Sequence, residues 1–108
     1  MTITDTKPKS QGLILAVRTI IASTANWRQA MADKYATDIR NEHAAQLLES
    51  LAGETPTLPE HLVAEMATCH RLGELVKDTA RRVGFSLFPA SLIDFLHLVL
   101  LIAAEEGR

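Results

Sequence analysis

Leu13, Val17, Ile20, Thr24, Trp27 and Met31 follow one another at steps of 4, 3, 4, 3 and 4. That spacing lines one narrow stripe of a helix, and it is the clearest periodic signal in the chain. The stripe fades beyond Tyr35, because position 38, next in the series, is Asp. A second stripe then begins on another face, with Ile39, His43, Leu47 and Leu51 flanked by Ala44 and Leu48. Thr37 or Asp38 can cap this second helix. The change of face favours a break or bend between Tyr35 and Asp38. The other solution is one helix over residues 11–52, about 60 Å long. Gly53 closes the region, and GETPTLP reads as a loop by its Gly, Thr and Pro content.

Thr57 opens a third predicted helix, with Glu60 as its partner in a capping box and Pro59 in the first turn. Leu62, Met66, Cys69, Gly73, Val76, Ala80 and Val83 repeat the same spacing. Several of them are small, so another helix can approach closely. Gly84 suits the residue that ends this helix. A short FSLF link leads to Pro89, and Ser91 with Asp94 offers a second capping box. The last helix reads SLIDFLHLVLLIAAEEGR, apolar on nearly every side from Leu92 to Ala104 except at Asp94 and His97. A helix apolar all round must be covered all round. The expected fold is all-α, a compact helical bundle of four helices, or of three if residues 11–52 form one long bent helix. A polar tail over 1–9 precedes a single helical domain over 10–108.

Composition agrees with this picture. With 108 residues, 47% apolar and 22% charged, the chain fits one globular domain, and its scarcity of aromatics suits helices packed on helices. The formal charge of −2 gives no electrostatic reason to expect nucleic acid or an anionic membrane. Cys69 is the sole cysteine, which excludes an internal disulfide and fits a reducing cytosol. The last apolar run is nearer 13 residues than the roughly 20 that a membrane span needs. Neither it nor the polar N-terminus reads as an anchor or a leader, so a cytoplasmic protein is expected.

Candidate chemistry is sparse. Asp94 and His97 lie three apart and share a face of the last helix with Leu98, Leu101 and Glu105. The plainest reading makes this the outward side, with Asp94 capping. The alternatives are a hydrogen-bonded polar pair at an interface and, less supported, a metal site, because di-iron bundles need two Glu-x-x-His motifs and two further carboxylates. His61, Glu65 and Cys69 form an i, i+4, i+8 line, but Cys69 falls on the core stripe and a closed zinc site needs four ligands. His70 and Glu74 read as a surface pair, and His43 as an edge histidine. No metal site, cofactor or catalytic constellation is expected.

Ala80, Gly84 and Ser86 follow an A-x-x-x-G-x-S pattern that resembles the turn of helix-turn-helix DNA readers, the GFS in particular resembling AraC-type regulators. The resemblance covers about seven residues and implies a recognition helix after Ser86. That stretch has no Arg, Lys, Asn or Gln before Arg108, the side chains such a helix uses to reach bases and phosphates. The expected function is that of a small non-enzymatic helical interaction or regulatory protein. It would act through the apolar face at Asp94, His97, Leu98 and Leu101, by self-association or on another protein. A ligand- or metal-binding bundle is the alternative, and a DNA-binding regulator a lesser one.

Overall fold

The fold is described here from a computed structural model over residues 6–106, with side chains from Gln11 onward. Five helices follow in order: α1 (Thr6–Lys34), α2 (Arg40–Ala52), α3 (Glu60–Thr68), α4 (Leu72–Arg82) and α5 (Leu92–Glu106). The architecture is all-α, as the periodicity implies. Of the tail expected over 1–9, residues 1–5 lie outside the described residues, and α1 starts at Thr6.

The break between α1 and α2 falls at Tyr35 to Ile39, where the hydrophobic face changes. The two helices form an antiparallel hairpin. Arg18 Nε donates to the Ala52 carbonyl at 2.6 Å and Arg28 Nη1 to Asn41 Oδ1 at 3.1 Å, so partners run in opposite order along the two chains. Ala25, Ala44 and Ala45 are fully buried. This packing rotates both faces relative to the simple stripes. On α1 the buried positions are Val17, Ile21, Thr24 and Ala25, while Trp27 is 37% exposed. On α2 they are Asn41, Ala44, Ala45, Leu48 and Leu51, leaving His43 in solvent and Ile39 60% exposed in the turn.

The cap position of α2 falls to Ile39 with no side-chain cap, so neither Thr37 nor Asp38 caps the helix as expected, and Asp38 instead closes the turn one residue earlier. Its Oδ1 accepts the backbone N–H of Arg40 at 3.1 Å, and its two oxygens take Nε and Nη2 of the same residue at 2.9 and 2.8 Å. The Arg40 side chain, then its backbone N–H, hold the Asp38 carboxyl down from 3.8 to about 2. A carboxyl with a lower pKa folded than unfolded stabilises the fold above its unfolded pKa, and loses that effect as the pH falls through the folded one. The contribution is therefore complete above about pH 4–5 and fades toward pH 2. A carbon-detected NMR titration should place the Asp38 midpoint near 2, and Arg40→Gln should move it back toward 3.8.

Two expectations about the third helix are corrected. It starts at Glu60 with Pro59 in the cap position and no side-chain cap, so the Thr57–Glu60 box does not form. Leu58 precedes a proline, which disfavours helical backbone there, and its side chain is buried instead. The helix also does not run to Val83. It stops at Thr68, and α4 restarts at Leu72 after Arg71 adopts a left-handed conformation, φ 60° and ψ 29°. The bundle thus has five helices rather than four. Thr68, Cys69 and His70 are weak helix formers, and Gly73 follows two residues after Arg71. Leu62 and Met66 of α3, and Leu75, Val76, Thr79 and Ala80 of α4, reach the core. Thr79 is fully buried, its hydroxyl donating to the Leu75 carbonyl at 2.7 Å.

Gly84 ends α4 as expected. Its φ is +86°, and a Cβ there would lie 2.7 Å from Ala44 Cβ and 2.9 Å from Ala44 Cα. The turn is held by Gly84 N–H donating to the Leu87 carbonyl at 2.8 Å, and by Phe85 and Ser86 N–H groups donating to the Arg82 carbonyl, both at 3.0 Å. Ser91 and Asp94 cap the start of α5, with the return bond going to Ala90, one residue before the cap, rather than to Ser91 as in a closed capping box. Ser91 Oγ accepts the Asp94 N–H at 3.1 Å, while Asp94 Oδ2 reaches back to the Ala90 N–H at 2.9 Å. From the α2–α3 loop, Glu54 Oε1 accepts the Leu92 N–H at 2.8 Å. A carboxylate at a helix N-terminus is favoured by the unpaired amides and the helix dipole.

Candidate functional site

α5 meets the bundle with Leu92, Phe95, Leu96 and Val99, all buried, and its packing neighbour is α4. At about 100° per residue, the centre of that face lies near Leu92 and Val99, and Leu101 points almost directly away. α1 packs on α2 and α4, and to a lesser extent on α3.

The four residues singled out in the sequence lie on the uncovered side. Asp94 and His97 are exposed, Leu98 is half-buried, and Leu101 is 56% exposed. Asp94 is occupied by the cap described above, so the pair does not act as a hydrogen-bonded unit directed at a ligand. Asp94 keeps the local capping role, and the leucines make the surface apolar. Phe88, in the link leading into α5, is 69% exposed.

Beside this face lies an open groove of about 480 Å³ between the α3–α4 turn and the second half of α5. Leu75, Leu100, Ala103 and Ala104 supply its apolar wall, and Glu65 and His70 belong to its polar rim. Arg71 ties the rim together, pairing with Glu74 at 3.0 Å and with Glu106 near the end of α5 at 3.4 Å. Those partners hold the Arg71 guanidinium above its ordinary pKa, the Glu74 hydrogen bond contributing most. Glu74 is therefore engaged by Arg71, not by His70 as a surface pair would require. Cys69 lines the groove half-buried at the end of α3, its thiol 3.5 Å from the His70 carbonyl, rather than sitting in the core. Among the described residues, no group of three or more His, Cys, Asp or Glu side chains is placed to hold a metal ion, the line of His61, Glu65 and Cys69 included.

A second constellation had no signal in the sequence. The Arg28 guanidinium lies 4.4 Å from the Trp27 ring centre and 4.2 Å from that of Phe85. Arg81 lies over Trp27 at 4.8 Å, and Arg40 over Phe85 at 5.0 Å. Arg28 also donates to the Arg81 carbonyl at the end of α4, and its buried Nε has no hydrogen-bond partner. Burial first, and the neighbouring Arg81 second, lower the Arg28 pKa. These groups come from α1, α2, α4 and the turn after α4, so only the folded chain assembles them.

The turn that resembles a helix-turn-helix differs from one in geometry. Nine residues, 83–91, separate α4 from α5, where that motif uses a turn of about three or four. Among the described residues, no helix is long and apolar enough to cross a membrane. No protein family, curated protein or solved structure matches the chain.

Proposed function

We propose that this is a small, non-enzymatic interaction protein that binds protein through the outward face of α5, as a homodimer or as an accessory subunit, in the cytoplasm. The observation that carries this reading is Leu101, a large apolar side chain more than half exposed opposite the buried face of the most apolar helix in the chain. Leu98 beside it and the apolar groove at Leu100, Ala103 and Ala104 extend the patch, and the Arg71, Glu74 and Glu106 cluster gives it a charged edge. An apolar centre rimmed by charge is the anatomy of a protein contact.

Size sets the expected strength. The free flank of α5 is roughly 22 Å by 10 Å, so each partner buries a few hundred Å² at most. A standard interface takes about 800 Å² from each side. Self-association through this face is therefore weak, with a dissociation constant on the order of 10–1000 µM. Sedimentation equilibrium across that range should show mass rising toward twice 11.9 kDa. Leu101→Glu should hold the chain monomeric while changing fold stability by no more than about 0.5 kcal/mol. A Leu101→Glu chain that associates as strongly as the wild type would place the contact elsewhere.

A further inference from the structure

Three arginines and two aromatic rings meet where the end of α1, the start of α2 and the end of α4 come together. Among the described residues, Asp38 pairs with Arg40, and neither Arg28 nor Arg81 has a carboxylate within ion-pair distance. Arg28 is committed inward, to Asn41 and to the Arg81 carbonyl. Arg40 and Arg81 are exposed, and the neighbouring turn adds two exposed apolar side chains, Tyr35 at 52% and Ile39 at 60%. Like charges held this close repel one another, and an anion arriving between them relieves that repulsion. Tryptophan and arginine are also the residues that dominate binding energy at protein contacts.

We infer that this corner is a docking site for an acidic segment of a partner protein, with carboxylates on the exposed guanidinium of Arg81 and on the Arg40 edge that Asp38 leaves free, and an apolar side chain against Ile39. Charge complementarity selects the occupant. Guanidinium groups already lie over the Trp27 and Phe85 rings, which leaves no stacking platform of the kind that single-stranded nucleic acid uses. The chain as a whole carries a net charge of −2, which opposes a long polyanion but not a short acidic peptide. The site is built from other residues than the α5 face, so either can fail without the other.

Trp27 is the sole tryptophan of the chain, so its fluorescence reports on the corner directly. The test titrates the full-length protein with a peptide of alternating Glu and Leu, with the same peptide carrying Gln for Glu, and with an oligothymidylate of matched charge. The result expected is a saturable change in Trp27 emission with the Glu peptide, weakened by salt and at least tenfold weaker with the Gln peptide. Arg40→Gln combined with Arg81→Gln should weaken binding at least tenfold. Arg81→Gln alone should weaken it severalfold with the thermal midpoint little changed, because its carbonyl still accepts from Arg28, whereas Arg40→Gln also releases the Asp38 pair. The inference is overturned by no response to the Glu peptide, by equal binding of the double variant, or by tighter binding of the oligothymidylate.

Discussion

Gly84→Ala is expected to destabilise the fold by about 3 kcal/mol, within a range of about 2–5 kcal/mol. Two costs combine. With φ at +86°, any residue with a side chain gives up about 1–2 kcal/mol to hold left-handed backbone. The new Cβ would then stand 2.7 Å from Ala44 Cβ and 2.9 Å from Ala44 Cα, an overpacked contact worth about 1–3 kcal/mol. The second atom is backbone of α2, so rotating a side chain cannot relieve the clash. Urea denaturation should show a lower midpoint at an unchanged slope. Adding Ala44→Gly should recover only part of the loss, because Ala44 Cα remains at 2.9 Å and the left-handed cost is untouched. Full recovery would mean that the contact alone matters and that the φ of Gly84 does not.

Phe95→Ala should cost about 3–5 kcal/mol, the usual effect of emptying a buried phenylalanine site. Phe95 is fully buried and is among the largest such side chains in the core. A domain of this size typically has only about 5–15 kcal/mol of stability in total, so the variant should be close to unfolding at 37 °C. Leu101→Ala, six residues on along the same helix, should change stability by about 0.5 kcal/mol or less. This contrast tests the two-sidedness of α5, which its nearly unbroken apolar run conceals. Similar losses at both positions would mean that α5 is buried on both sides within one chain, leaving no free face for a partner.

What the sequence made legible were the local punctuation marks. Gly84, the Ser91–Asp94 pair and the face change after Tyr35 each rest on chemistry within a few residues, and each stands where expected, while the cap expected at Thr37 or Asp38 falls to Ile39 instead. The division of α3 from α4 was hidden, because Leu62, Met66, Cys69, Gly73 and Val76 keep a helical spacing across it. The residue that turns left-handed there is Arg71, not the Gly or Asn that would have announced it. Facing was less legible than existence. Trp27 and Ile39 fall on simple stripes yet stand at the surface, because the packing of α1 on α2 decides which side is inside. The outward side of α5 could be read, since Asp94 and His97 mark it. The groove walls and the cluster of Arg28, Arg40 and Arg81 could not, because they join positions dozens of residues apart through packing alone.

The central claim is that the Asp94, His97, Leu98 and Leu101 side of α5 is where this protein meets another copy or a partner. A dilution series of amide NMR spectra, from about 1 mM to about 10 µM to span the dissociation constant expected for so small a face, tests it residue by residue. Amide signals along this side of α5, from His97 through Glu105, and at the groove wall should move together with concentration, while those of Tyr35, Ile39 and Leu15 stay fixed. Spectra that do not change with concentration, or changes confined to α1 and the α1–α2 turn, would contradict self-association through α5.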